Sequence, residues 1–426
     1  MGSYCAKGLM YIHRELEKEI APFLERKEAI AIVGPRQAGK TTFLQHLAGK
    51  LQEQGKKLKF ITFEKRDDLT LFNKSIEDFK TLAEQYNCVI IDEFQYASHG
   101  GQKLKYLYDT TNVKFVISGS SSLELTFQTG KYMVGRLLEF TLLPFSFREF
   151  LSFRDPELYT LVEQKRFVRI ADFDYSKRLG EEITRRLVIL LEEYALYGGY
   201  PAVVIAGTKD EKHKILEGIA ENYLLRDIKD LLRLAASDEL WRLEKLLAGQ
   251  IGGMIKYEEL SRASGLSYKE LKKHLNILEK TYVISLIKPF FVNRRTELTK
   301  NPKVYFFDTG LRNYVLSDFR PVSERNDAGA LMENYAFGLL SRRFALPPAL
   351  KYWRTKSKAE IDFIVEEGQA LYPFEVKYSS KHVLGKSLHS FIEKFHPPVA
   401  IVLTKDFASV GKIAETQLKF IPLPYY

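Results

Sequence analysis

The stretch Ala29-Ile30-Ala31-Ile32-Val33-Gly34-Pro35-Arg36-Gln37-Ala38-Gly39-Lys40-Thr41-Thr42 decides the fold. Its five leading apolar residues read as a strand buried on both faces. The loop that follows fills every position of the phosphate-binding pattern G-x-x-x-x-G-K-[ST]. Gly34 and Gly39 let backbone N–H groups close around phosphate oxygens, and the helix predicted to open at Lys40 adds the positive end of its dipole. Lys40 would then reach the β- and γ-phosphates, and the Thr41 hydroxyl would ligate Mg²⁺. The expected nucleotide-binding set is Gly34, Pro35, Arg36, Gln37, Ala38, Gly39, Lys40, Thr41 and Thr42, with ATP and Mg²⁺ as ligands.

A second acidic signal follows. Cys88-Val89-Ile90-Ile91-Asp92-Glu93 is an apolar run ending in two carboxylates. Asp92 at the end of such a strand would hold Mg²⁺, and Glu93 would polarise the attacking water. The next strand, Lys114-Phe115-Val116-Ile117-Ser118-Gly119-Ser120-Ser121, ends in small hydroxyl residues, and Ser118 and Ser120 are placed to sense a γ-phosphate. Further strands are expected at 57–63 and 138–143. Five parallel strands alternating with helices predict a doubly wound α/β sheet with nucleotide at the carboxyl ends. Residues from about 145 to 234 carry apolar positions at three- and four-residue spacing and predict a helical lid on the nucleotide domain. Two arginines, Arg136 and Arg226, are candidates to stabilise transition-state charge, in cis or from a neighbouring subunit.

The chain has 426 residues, 45% apolar and 28% charged, which fits two or three globular domains. A formal charge of +10 favours an acidic partner such as nucleic acid. Two cysteines without metal-ligand neighbours fit a reducing, cytoplasmic setting. No apolar run approaches the ~20 residues that cross a bilayer.

Around 255–307 the character changes. Tyr257-Glu258-Glu259-Leu260-Ser261-Arg262-Ala263 reads as a short helix stopped by Gly265, and Ser267 with Glu270 has capping-box spacing for a second. That second helix buries Leu271, Leu275 and Leu278 and is expected to project Lys269, Lys272, Lys273 and His274. Two strand-like runs, 282–291 and 303–307, flank the basic tip Asn293-Arg294-Arg295-Thr296. Helix, glycine turn, basic helix and hairpin predict a winged helix. Lys269, Lys272, Lys273, Arg294 and Arg295 are its candidate DNA contacts.

The last hundred residues hold another constellation. In Glu360-Ile361-Asp362-Phe363-Ile364-Val365 the period of two puts Glu360 and Asp362 on one side, and in Phe374-Glu375-Val376-Lys377 it pairs Glu375 with Lys377. A hairpin through Glu366-Glu367-Gly368 would unite Asp362, Glu375 and Lys377 as catalytic groups. Two carboxylates can hold a hard cation while the lysine activates water, and the helical Glu333 would add a further metal ligand.

Taken together, these segments resemble the archaeal and bacterial AAA+-type P-loop ATPases whose C-terminal region is related to the PD-(D/E)XK nucleases. The match extends through Gly135-Arg136, Leu143-Pro144-Phe145-Ser146-Phe147-Arg148-Glu149-Phe150, Tyr197-Gly198-Gly199-Tyr200-Pro201 and Val304-Tyr305-Phe306-Phe307-Asp308-Thr309-Gly310-Leu311-Arg312. The resemblance implies an ATPase core at 10–145, a helical lid at 146–235, a winged helix at 236–315 and a nuclease-like α/β domain at 316–426. It also implies a homo-oligomer, with a hexameric ring as the AAA+ precedent. The expected activity is ATP-driven remodelling or translocation of duplex or branched DNA. The alternatives are an ATP-controlled switch without motor activity and an ATP-gated, metal-dependent nuclease.

Overall fold

The computed structural model describes residues 11–119, 132–165, 173–221, 238–291, 297, 300–344, 350–381 and 384–425. Ser120, Arg226, Arg294 and Arg295 lie outside the described residues. The chain divides into two compact units, one running to Phe145 and including Lys280–Tyr282, the other comprising 146–279 and 283–426.

In the first unit five strands, β1 (Ala29–Val33), β2 (Leu58–Thr62), β3 (Cys88–Asp92), β4 (Lys114–Gly119) and β5 (Leu137–Thr141), form a wholly parallel sheet in the order β2-β3-β4-β1-β5. Alternation explains the apolar runs. Ala29, Ala31 and Val33 enter one core with Phe63, Phe72, Phe94 and Leu104. Ile30 and Ile32 enter the opposite core with Phe43, Leu44 and Leu47 of the helix Lys40–Glu53. A strand covered on both faces has no room for a polar residue. Because β1 lies between β4 and β5, the chain leaves its carboxyl end at a topological switch point, where open α/β sheets bind ligands.

The second unit contains the helices Phe147–Arg154, Pro156–Gln164 and Glu181–Tyr197. This stretch, expected as a helical lid, belongs to the same compact unit as the C-terminal half. The reason is an interlock between two of the quoted motifs. Asp308 accepts from the Gly199 amide at 2.8 Å, and Asn313 Nδ2 donates to the carbonyls of Ala195 and Leu196 at 3.0 and 2.9 Å. Gly310 lies so close to Tyr197 that a Cβ there would overlap the Tyr197 carbonyl.

Beyond it, the helices Tyr257–Ser264 and Tyr268–Lys280 are separated by Gly265 at φ 84°. The capping box forms as expected: Ser267 Oγ accepts from the Glu270 amide at 3.3 Å, and Glu270 accepts from the Ser267 amide at 3.0 Å. Strands β6 (Ile284–Ile287) and β7 (Lys303–Phe306) pair antiparallel and are shorter than the runs expected. A six-stranded mixed sheet follows, β8 (Leu350–Arg354), β9 (Glu360–Glu367), β10 (Ala370–Lys377), β11 (Val399–Thr404), β12 (Ser409–Ile413) and β13 (Thr416–Pro422), in the order β12-β13-β11-β10-β9-β8. Leu388, Phe391 and Ile392 of the helix Lys386–Phe395 pack on Ile361, Ile364, Ala400 and Val402 of this sheet.

Candidate functional site

The loop after β1 has the conformation its glycines allow. Gly34 sits at φ 151° and Gly39 at φ 91°, and Gln37 also takes a positive φ of 61°. A Cβ on Gly34 would overlap the Leu142 carbonyl oxygen, so only glycine fits there. Lys40 is buried and its ammonium donates to the Gly34 and Pro35 carbonyls at 3.0 and 2.9 Å. Thr41 Oγ1 donates to Asp92 Oδ2 at 2.7 Å, which joins the ends of two different strand–loop segments at the mouth of the loop. Asp92 is 2% exposed and its other oxygen accepts from Ser118 Oγ. Thr41 and Asp92 therefore fit the pair of oxygen ligands that Mg²⁺ would take in such a loop.

Glu93 follows at φ 56°, a left-handed conformation uncommon outside glycine, which turns its backbone sharply at the strand end. Its amide donates to Ser118 Oγ at 3.1 Å and its carboxylate accepts from Gln95 Nε2. Burial raises its pKa, only partly offset by Gln95 and by the Lys40 charge. Such a carboxylate suits proton abstraction from water.

Two placements correct expectations. Arg136 lies at the amino-terminal end of the sheet: its carbonyl accepts from the Ala29 amide and its Nε donates to Asp109 at 3.0 Å. The loop leaves the other end of β1, so Arg136 does not serve the same chain's γ-phosphate position. His274, expected among the projecting basic residues, is 1% exposed, with Nδ1 2.7 Å from the Glu270 carbonyl. Lys269, Lys272 and Lys273 do lie on the exposed side of that helix, and the Lys272 ammonium sits 3.6 Å from the Tyr257 ring centroid.

One residue of the loop's support was missed from sequence. Arg14, 5% exposed, donates to the Ala38 carbonyl at 3.0 Å and to the Leu143 carbonyl at 2.5 Å, and its guanidinium lies over Phe145. It fixes the phosphate loop from a position 24 residues upstream.

In the C-terminal sheet the hairpin pairs Phe363 with Phe374, which sets Asp362 beside Glu375. Asp362 accepts from the Val376 amide at 2.7 Å, and Lys377 pairs with Glu375 Oε1 at 2.9 Å. Glu375 is 3% exposed, and its Oε2 has no hydrogen-bond partner among the described residues. Burial and the Glu333 charge hold the Asp362 carboxyl well above the usual aspartate range. The sequence reading missed Lys303 of β7. Its buried ammonium contacts Glu360 at 2.7 Å and Glu333 at 3.1 Å, and Glu333 also accepts from Tyr305 at 2.5 Å. The ligand oxygens of Glu333, Asp362 and Glu375 do not all lie within 4.8 Å of one another. Lys303 supplies a positive charge at Glu333.

Three family models match the chain: an AAA domain over residues 26–151, a domain of unknown function (DUF8612) over 189–321, and another (DUF4143) over 328–426. The AAA match covers β1–β5 and the phosphate loop, so the first unit is similar to P-loop ATPase domains. An uncharacterized protein of Mycobacterium tuberculosis is 26% identical over 382 residues, spanning 88% of this chain and 76% of that one. One from Haemophilus influenzae is 26% identical over 376 residues (84% and 85%). One from Methanocaldococcus jannaschii is 23% identical over 373 residues (84% and 76%). Solved structures with partial likeness include the ADP form of the Aeropyrum pernix ORC2 protein, at TM-score 0.32 and 14% identity over 65% of this chain and 87% of that one. Another is domain III of the Thermotoga maritima replication initiation protein DnaA, at TM-score 0.30 and 15% identity over 50% and 87%. Among the described residues no helix is long and apolar enough to cross a membrane.

Proposed function

We propose that this chain is an ATP-hydrolysing, DNA-binding protein of AAA+ type that remodels or translocates DNA as a homo-oligomer. The carrying observation is the Thr41–Asp92 hydrogen bond of 2.7 Å at the mouth of the glycine loop, with Glu93 beside it. Gly34, Pro35, Arg36, Gln37, Ala38, Gly39, Lys40, Thr41 and Thr42 would hold the triphosphate, and Thr41 with Asp92 would hold Mg²⁺. When bound, Mg²⁺ would neutralise charge developing on the phosphate oxygens. Glu93 takes a proton from the attacking water, Gln95 orients its carboxylate, and Ser118 fixes both Asp92 and the Glu93 backbone. Lys40 turns from the loop carbonyls to phosphate.

The helix–Gly265–helix followed by β6 and β7 supports the winged-helix reading, with Lys269, Lys272 and Lys273 meeting DNA phosphates together with Arg294 and Arg295. The β9–β10 hairpin supports a PD-(D/E)XK-like fold for the C-terminal sheet. On this reading the C-terminal domain either cuts DNA or merely holds it, and no cleavage step is assigned to it.

The test is ATP turnover by purified protein alone and with single-stranded, duplex and four-way-junction DNA, each DNA run on a gel afterwards, with Lys40→Ala as control. Several-fold stimulation by one DNA form, lost in the control, is expected. Turnover indifferent to every DNA would instead support the nucleotide-controlled switch, and metal-dependent cleavage lost in Asp362→Ala would support the nuclease.

A further inference from the structure

Away from the phosphates, on the outer turns of the helix Lys40–Glu53, a second cluster has the chemistry of a metal site. Glu17, in the helix Leu16–Ile20, stands four residues after His13, which precedes that helix, and His46 projects toward both from the helix Lys40–Glu53. The ligand atoms of His13, Glu17 and His46 all lie within 4.8 Å of one another. His13 Nδ1 is 3.4 Å from Glu17 Oε1, and His46 Nε2 is 3.5 Å from Glu17 Oε2. Two imidazoles and one carboxylate make a donor set suited to Zn²⁺, whose bonds of ~2.0–2.2 Å place neighbouring ligand atoms roughly 3.3 Å apart.

An independent observation points the same way. The His46 side chain is nine-tenths buried, at 10% exposure, and its Nε2 faces Glu17 Oε2 across 3.5 Å without a hydrogen bond of good geometry. A buried polar atom left unpaired is costly unless something else satisfies it. The surroundings hold the set in place. The Tyr11 ring stacks on His46 with centroids 3.7 Å apart, and its hydroxyl donates to Glu17 at 3.0 Å. Second-sphere bonds of this kind orient ligands in metal sites. Lys50 also pairs with Glu17, but its side chain is 44% exposed and can swing into water when a dication arrives.

We infer that His13 Nδ1, Glu17 and His46 Nε2 form a Zn²⁺ site that clips the chain's first described segment to the helix behind the phosphate loop. Glu17 also accepts from the Arg14 amide at 3.1 Å, and the Arg14 side chain holds the Ala38 carbonyl, so the clip and the loop share one residue.

The experiment is Zn²⁺ titration of metal-stripped full-length protein by calorimetry, with Co²⁺ absorption as a geometric probe. The variants are His13→Ala and Glu17→Gln, with Lys40→Ala as a control outside the site. His13 is 54% exposed, so its replacement leaves the core untouched. One Zn²⁺ per chain is expected, with a four-coordinate Co²⁺ spectrum, a rise in melting temperature on loading, and affinity about 100-fold weaker in either site variant. Lys40→Ala should bind Zn²⁺ like the parent. Absence of binding at about 100 μM Zn²⁺, far above the range of structural zinc sites, would overturn the proposal. So would binding that survives both site variants.

Discussion

Replacing Lys303 by methionine tests the electrostatic design of the C-terminal acid cluster. Methionine keeps the unbranched stem and deletes the ammonium. Lys303 is 1% exposed, and its charge lies 2.7 Å from Glu360 and 3.1 Å from Glu333. At an effective dielectric near 20, each contact is worth about 5–6 kcal/mol of gross attraction, set against the desolvation of three charges. The net cost of deleting one partner of such a buried group is ~3–5 kcal/mol, because the others are left uncompensated. For a unit of this size that corresponds to a fall of roughly 6–20 °C in its melting transition. The pH dependence has a definite sign. Burial works against the Lys303 charge, but Glu333, Asp362 and Glu360 outweigh it and raise the pKa. Its contribution is therefore complete below the ordinary lysine range and lost only above it, so the parent owes no pH dependence to Lys303 between pH 6 and 9. In the variant the uncompensated carboxylates recover stability by protonating, and the deficit should shrink toward pH 5. Calorimetric melts at pH 7.5 and pH 5 measure this, and adding Glu333→Gln with Glu360→Gln should restore most of the loss. A shift below about 2 °C at pH 7.5, or a deficit the glutamines leave untouched, would refute the reasoning.

Glu93→Gln should retain ATP binding while turnover falls ~10²–10⁴-fold. The parent's rate should show an acid limb above the usual glutamate range, since burial raises the Glu93 pKa; unchanged turnover would remove Glu93 from the role of base. Lys269→Ala and Lys273→Ala should weaken DNA binding alike for all sequences and lower the salt slope by about 1 each; an unaltered slope would exclude that helix face from the contact. Glu244 is 0% exposed, neither of its oxygens has a hydrogen-bond partner among the described residues, and burial raises its pKa well above the usual value. A folded pKa above the unfolded one costs stability as pH rises through that interval, so Glu244→Gln should be more stable than the parent at pH 8, by ~1–3 kcal/mol, and the gap should close near pH 4. A variant no more stable at pH 8 would show that the carboxyl is satisfied.

The phosphate loop and the Asp92-Glu93 pair were legible because their chemistry is local: consecutive residues carry the whole signal. Period two likewise placed Asp362 beside Glu375 once a hairpin was assumed. What failed was whatever depends on the far side of a contact. Arg136 adjoins a strand as Ser118 does, but at its beginning, away from the phosphate loop of its own chain. His274 was read as a projecting cation, although it falls three residues after Leu271 and adjoins Leu275, on the arc those leucines bury. Arg14 and Lys303 gave no local signal. Each is a basic residue in ordinary surroundings until the chain brings a loop carbonyl or two carboxylates to it.

The interior ion pairs of the second unit also give it a particular response to heat. Lys303 with Glu333 and Glu360, Arg354 with Glu360, and Arg312 and Arg325 with Asp327 form linked groups of charge, several of them sealed from solvent. Hydration of ions becomes less favourable on warming, so the penalty for keeping these charges dry declines as temperature rises, while the return from apolar packing levels off. A fold braced this way sheds stability more slowly on heating than its greasy core alone would dictate. Its advantage over a hydrophobic replacement at the same positions is smallest in the cold and widens toward the temperatures at which most proteins melt.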